Sequence, residues 1–112
     1  MLPAVNRMRD SADFRSATRK GLRSACRYFV IHVVAGNPEA DLLVGFTVSK
    51  KVGNAVTRNR VRRRLRHIMR EYLDVPAEKI VIRALPVSAT ASSGELRHAL
   101  HSALVRLGII HD

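Results

Sequence analysis

The stretch from Ser49 to Arg70 constrains the fold of this chain more than any other, because it is both strongly basic and amphipathic. It contains nine of the chain's 20 Lys and Arg residues and no acid. A block of like charge usually stays disordered, but here apolar residues recur at i, i+4, i+7 and i+11, which is the period of an amphipathic helix. Those residues are Val61, Leu65, Ile68 and Tyr72. We therefore predict a helix that begins after Asn54 or Thr57, ends at about Leu73 and packs one face on a core.

The other side of this helix carries crowded guanidinium groups. Four arginines at i, i+4 spacing form a row beside the apolar stripe. They are Arg58, Arg62, Arg66 and Arg70. Arg outnumbers Lys in this stretch by seven to two, and the planar guanidinium matches phosphate oxygens better than the point charge of Lys. Solvated helix faces normally mix acids with bases, whereas the only acid nearby is Glu71. The pattern favours a phosphate-binding helix over a solvated basic face.

Length and charge set the class of protein and of partner. With 112 residues, of which 46% are hydrophobic, the chain is expected to form a single domain, residues 1–112. A net charge of +11 indicates a polyanionic partner, nucleic acid first and anionic membrane second. One cysteine, Cys26, excludes an internal disulfide and suits the cytoplasm. No apolar run is long enough for a membrane span, so we expect no membrane association, and we predict no protein partner.

The remaining elements follow from caps, turns and alternation. Residues 1–9 are expected to form a loosely ordered basic arm, followed by a helix that begins after Asp10, with Asp13 in an imperfect capping box, and ends at Gly21. Strands are predicted at 22–26, 28–35, 42–48 and 80–85, with a turn at 36–38. A capping box, Ser92 to Glu95, begins a last helix that ends at Gly108. The order α-β-β-β-α-β-α predicts an α+β fold, an α/β sandwich with a four-stranded, mostly antiparallel sheet covered by helices.

The chain shows no constellation for self-contained catalysis. His98 and His101 lie at i, i+3, but no Cys, Asp or Glu completes a ligand set, so we predict neither a metal site nor a catalytic residue. Glycines flank the segment 45–53, but the Lys and Ser or Thr of a P-loop do not follow. Phe14 and Phe29 lie in elements beside the basic helix, where they could stack on bases of single-stranded nucleic acid or simply pack in the core.

The segment from Val44 to Arg66, V-G-F-T-V-S-K-K-V-G-N-A-V-T-R-N-R-V-R-R-R-L-R, resembles the protein subunit of bacterial ribonuclease P. The triplet 58–60, R-N-R after G-N-A-V, is that family's signature. The segments N-R-M at 6–8, D-F at 13–14 and R-Y-F-V at 27–30 also fall where the family has counterparts. The resemblance therefore covers nearly the whole chain.

This resemblance implies a fold and an RNA partner. The sheet would contain an unusual left-handed β-α-β crossover, where general rules predict a right-handed one. The basic helix and the loop before it would bind the catalytic RNA subunit of ribonuclease P. The residues expected in this contact are Lys50, Lys51, Asn54, Arg58, Asn59, Arg60, Arg62, Arg63 and Arg66.

The resemblance also implies a substrate and a division of labour. A cleft between the first helix, the basic helix and the sheet would hold the single-stranded 5′ leader of precursor tRNA, contacted by Arg9, Phe14 and Phe29. The RNA subunit would perform the cleavage with Mg²⁺ that it mainly holds itself. Two positions depart from the family: Thr18 replaces a second aromatic, and Arg83 lies one place earlier than the usual arginine.

Three alternatives remain at this point. The first is a generic module that binds structured RNA or the ribosome. The second is a DNA-binding basic helix, although neither a zipper nor a helix-turn-helix partner is visible in the sequence. The third is a self-sufficient nuclease, which the absence of clustered acids opposes.

Overall fold

Four strands form one open sheet in the order β1-β2-β4-β3 in the computed structural model, which describes residues 2–36 and 41–111. The strands are β1 (Leu22–Ala25), β2 (Phe29–Ala35), β3 (Leu43–Thr47) and β4 (Ala77–Ala84). β1 pairs with β2 and β2 with β4 in antiparallel fashion, whereas β3 and β4 are parallel neighbours. The prediction of a mostly antiparallel four-stranded sheet is confirmed.

Three helices connect and cover these strands. They are α1 (Ser11–Lys20), α2 (Ala55–Met69) and α3 (Ser93–Arg106), and short 3-10 turns occur at Ala4–Asn6, Arg70–Tyr72 and Pro86–Ala89. The order α-β-β-β-α-β-α is as predicted. α2 connects the parallel strands β3 and β4 and therefore forms the expected β-α-β crossover, whose left-handedness stays a prediction. No helix within residues 2–36 and 41–111 is long and apolar enough to cross a bilayer.

Side-chain caps fix where the helices begin. The carboxylate of Asp10 accepts a hydrogen bond from the backbone N–H of Ala12, and Asn54 Oδ1 accepts one from the N–H of Thr57 at 2.9 Å. At α3 the capping box is reciprocal, since the Ser92 and Glu95 side chains each accept from the backbone N–H of the other residue. Such caps satisfy N–H groups that the first helical turn leaves unpaired.

Several predicted details are wrong. α2 ends at Met69 instead of about Leu73, because the chain tightens into a 3-10 turn there, as helix ends commonly do. β4 begins at Ala77, three residues before the predicted start, because pairing with β2 continues past an irregularity at Ala35. Asp13 completes no capping box but forms an ion pair with Lys79 at 3.2 Å. Residues 37 and 38 of the predicted turn lie outside the described residues.

The core lies mainly on one face of the sheet. Alternate residues of β2 and β4 point toward α2 and α3 and are almost fully buried there, together with the apolar stripe of α2. α1 covers part of the other face, where Ala17 and Val81 are buried against Met8 and Phe14. Three residues of the predicted stripe, Val61, Leu65 and Ile68, are confirmed, since each is 1% exposed. The fourth, Tyr72, lies in the 3-10 turn after α2 and is half-buried.

The N-terminal segment is packed against the sheet at residues 2–9, which corrects the expectation of a loose arm for the described part of 1–9. Leu2 is only 2% exposed, and the buried Asn6 donates from Nδ2 to the Leu42 carbonyl at 2.8 Å. The N–H of Met8 donates to the carbonyl of Val44 at 2.9 Å, so the segment runs along the outer edge of β3. Apolar anchors and hydrogen bonds to the edge strand outweigh the basic character of this segment.

Candidate nucleic-acid interface

The basic side of α2 has two levels. Arg58, Arg62 and Arg66 are half-buried beside the core stripe, whereas Arg60 and Arg63 are exposed on the side of the helix away from the core. Asn59 Oδ1 accepts a hydrogen bond from Arg62 Nη1 at 3.1 Å, which holds one guanidinium in place. Arg58 Nε is buried without a hydrogen-bond partner.

The loop before α2 adds two lysines to this surface. Lys50 and Lys51 lie in the turn after β3, and both are exposed. Asn54 is exposed as well, but its side-chain oxygen caps the helix. Arg64, which was not predicted to bind RNA, donates from Nη1 to the carbonyl of Ala91 at 2.8 Å and so ties α2 to the segment before α3.

A cleft of about 340 Å³ separates α2 from the N-terminal segment along the edge of β3. Four guanidinium groups surround it, and two aromatic rings line it. The six residues are Arg7, Arg9, Arg62, Arg66, Phe14 and Phe46. Partial burial lowers the pKa of the Arg66 guanidinium, and the nearby positive charges of Arg7 and Arg62 lower it further. The cleft is therefore a concave surface with crowded positive charge and apolar walls.

The structure places two of the three predicted leader-contacting residues in this cleft. Phe14 and Arg9 line it, as the resemblance implied. Phe14 lies directly over Gly45, where the lack of a side chain leaves room for the ring. Thr18, one turn further along α1, is exposed and bonds back to the Phe14 and Arg15 carbonyls at 3.1 Å. The position thus contributes no aromatic surface, and its hydroxyl proton is already used within the helix.

Phe29 lies elsewhere, and its predicted contact with the leader is wrong. Its side chain is 1% exposed and belongs to the core shared with α2 and α3. Successive side chains of a strand point to opposite faces, so Phe29, Ile31 and Val33 point into the core. The residues of β2 that face the other side are Val30, His32 and Val34.

His32 lies on the face of the sheet opposite the main core, together with Val30 and Val34. This histidine was not predicted from the sequence as a binding residue. It pairs across β1 with Arg23 and across β4 with Val81, and Val81 pairs with Gly45 of β3. Its Nδ1 atom is buried without a hydrogen-bond partner. Burial lowers the pKa of His32, and the charges of Arg23 and Arg83 lower it further. Because side chains alternate between the two faces of a strand, a buried Phe29 places His32, three residues later, on the opposite face.

Arg83, whose role the sequence left open, lies at the end of the same face. It is the partner of Thr47 in the parallel pair β3–β4. Together with Thr47, Ser49 and Lys51 it lines a second cavity of about 450 Å³ at the carboxyl ends of these strands. Two cationic side chains and two hydroxyl groups therefore converge there.

The two histidines of α3 have different surroundings. Tyr72 Oη lies 3.3 Å from His101 Nδ1, so His101 connects α3 to the turn that follows α2. His98 is exposed. Among residues 2–36 and 41–111, no group of three or more His, Cys, Asp or Glu residues is placed to hold a metal ion.

Comparison with known proteins identifies the family. The family model described as Ribonuclease P matches residues 2–108. The ribonuclease P protein component of a Nocardioides species is 47% identical, with 96% of each chain covered, and that of Acidothermus cellulolyticus is 46% identical, covering 96% of this chain and 92% of the relative. The chain belongs to the ribonuclease P protein family.

Solved structures of the ribonuclease P protein agree with this assignment. A Staphylococcus aureus RNase P protein mutant, described as having defective mRNA degradation activity, superposes with a TM-score of 0.81 at 29% identity, over 94% of this chain and 90% of that one. The α+β fold and the family's function are thus confirmed: the chain is the protein subunit of the endoribonuclease that processes tRNA 5′ ends, and it partners the ribonuclease P RNA.

Proposed function

We propose that α2 and the loop before it bind the catalytic RNA subunit. The observation that carries this is the acid-free surface of α2, where exposed Arg60 and Arg63 stand outside the half-buried row of Arg58, Arg62 and Arg66. Folding alone gains nothing from such crowding of like charge, whereas RNA phosphates would relieve it. The exposed Lys50, Lys51, Asn54 and Asn59 extend the same surface.

The cleft beside β3 is the proposed site for the single-stranded leader of precursor tRNA. Single strands bind where a basic groove that follows the backbone lies beside aromatic side chains on which bases stack. Arg9 and Phe14 meet both requirements at the cleft, together with Arg7 and Phe46. Phe29 is not part of this site.

The chemical step is assigned to the RNA. Hydrolysis at phosphorus needs metal ions held by clustered oxygen ligands or a placed acid–base pair. Three acids close to α1 or α2 in sequence have other roles, since Asp10 caps α1, Asp13 pairs with Lys79 and Glu71 pairs with Arg97. Mg²⁺ would be held mainly by the RNA subunit, and the protein would improve substrate binding. Precursor tRNA is the proposed substrate and the cytoplasm the proposed compartment, which the single cysteine suits.

Reconstitution tests this proposal. The chain is added to the catalytic RNA of its own bacterium at low Mg²⁺, and 5′ processing of a precursor tRNA is measured with and without protein. We expect processing to require the protein under these conditions. A generic RNA-binding module would instead bind unrelated structured RNAs of similar size with equal affinity and would leave processing unchanged.

A further inference from the structure

Val56 is an apolar side chain in the most basic part of the molecule. It lies at the second position of α2, and its exposed fraction of 73% exceeds that of every other large apolar side chain in residues 2–36 and 41–111. Single exposed apolar residues are ordinary on protein surfaces. The surroundings of Val56 therefore decide whether it has a function.

Those surroundings are the centre of the proposed RNA interface. Val56, Arg60 and Arg63 are spaced at i, i+4 and i+7, and all three are exposed. They share the helix face that lies opposite the buried Val61 and Leu65. The first turn of α2 contains no acid, although acids stabilise a helix N-terminus. Valine is also a weaker helix former than alanine. The folded chain alone therefore gains little from a valine at this position.

We propose that Val56 packs against a ribose or a base face of the catalytic RNA and forms an apolar contact inside a ring of phosphate contacts. The inference rests on the proposed function, because it requires α2 to bind that RNA. Arg60 and Arg63 share the exposed helix face with Val56, and Lys50 and Lys51 lie in the loop before the helix, so phosphates held by these cations would lie beside the side chain. The contact is stabilised in proportion to the apolar area removed from water. Because the contact neutralises no phosphate, its formation releases no counterions from the RNA.

Val56→Ala tests the proposal through affinity, salt dependence and stability measured together. Loss of most of the apolar contact should weaken binding of the full chain to the catalytic RNA by about five- to tenfold. The slope of log K against log salt should stay unchanged, because no phosphate contact is lost. The free energy of unfolding should stay the same or rise, since alanine is the better helix former. Leu22→Ala, which trims an exposed apolar side chain on the edge strand β1, is the control and should bind normally.

Arg60→Gln separates failure of this inference from failure of the proposed function. It should flatten the salt slope by roughly 0.7–0.9. If it does so while Val56→Ala binds like the original chain, the apolar contact does not exist and the basic interface stands. If neither variant affects binding, α2 is not the RNA interface. A flattened slope or a lower unfolding temperature for Val56→Ala would show a structural effect and overturn the inference.

Discussion

A Cβ atom built on Gly45 would lie 2.5 Å from the ring of Phe14. Real Cβ atoms do not approach a neighbour so closely, so the place of the ring depends on the missing side chain. Phe14 comes from α1, whereas Gly45 is in the middle of β3. The glycine thus lets α1 come close to the sheet and places the aromatic ring at the cleft.

Gly45→Ala is therefore expected to displace Phe14. Overpacking of this kind typically costs about 1–3 kcal/mol of stability. Relative to the original chain, we expect a larger loss of affinity for precursor tRNA than for mature tRNA. Gly94→Ala is the matched control, because its Cβ meets only Ser92 Oγ at 3.8 Å. The control should bind normally and gain helix stability. Urea unfolding and binding of the two tRNAs to the reconstituted enzyme measure both effects. Normal stability and binding for Gly45→Ala would show that the ring adapts without loss.

Phe14→Ala should mainly change the affinity for precursor tRNA, whereas Phe29→Ala should mainly change the free energy of unfolding. Phe14→Ala removes a surface for base stacking and should weaken binding of precursor tRNA by roughly 1–3 kcal/mol, with little effect on mature tRNA. Phe29→Ala creates a core cavity and should lower the free energy of unfolding by about 3–5 kcal/mol. Where it remains folded, any loss of binding should be equal for both ligands. A selective loss of precursor binding in a stable Phe29→Ala chain would return Phe29 to the leader site.

The salt dependence of RNA binding tests the arginine row. Replacing Arg62 and Arg66 with Gln should weaken binding to the catalytic RNA and flatten the slope of log K against log salt by roughly 0.7–0.9 per residue. Stability should not fall, because the change relieves repulsion with Arg7. The control pair, Arg97→Gln and Arg106→Gln, removes the same charge from α3 and should leave the slope unchanged. Equal slopes for both pairs would show that the row acts only through net charge.

His32 should make stability depend on pH. Its pKa is lowered in the folded chain, mainly by burial, so below about pH 6.5 the unfolded chain binds this proton more readily than the folded one. The free energy of unfolding should therefore fall as pH decreases below this value and level off below the folded-state pKa. His32→Gln should remove this part of the pH dependence, whereas His98→Gln, at an exposed position, should keep it. Parallel profiles for the original chain and His32→Gln would contradict the expectation.

Substitutions of Asp10, Asp13 and His101 should leave the rate of the cleavage step nearly unchanged. We expect Asp10→Asn, Asp13→Asn and His101→Ala to leave the cleavage rate of the reconstituted enzyme at saturating substrate within a few-fold of normal. The asparagine of Asp10→Asn would keep an oxygen that can cap α1, whereas Asp13→Asn weakens the ion pair with Lys79, so folding is checked at the assay temperature. A loss of a thousandfold in a folded variant would place a catalytic group on the protein.

The sequence by itself determined the order of the elements, the buried side of the basic helix and the family. The helical period of Val61, Leu65 and Ile68 determined which side of α2 is buried. The two candidate caps, Asn54 and Thr57, limited where the helix begins, and the structure decides for Asn54. These signals are local, because they depend on residues three or four apart along one helix. The signature around Asn59 is local as well, and this short string of residues was enough to indicate the family.

Tertiary structure alone decided which residues share a cleft. Both faces of β2, the strand that contains Phe29, carry apolar residues. The sequence therefore did not show which face of the strand packs against α3 and which face points away from it. The N-terminal segment has a basic, loop-like sequence, yet Asn6 and Met8 bond to residues at the edge of β3. Arg7 and Arg66 are far apart in sequence, and only packing brings their charges together. Such contacts depend on strand order and on the face each helix covers, which no short stretch of sequence encodes.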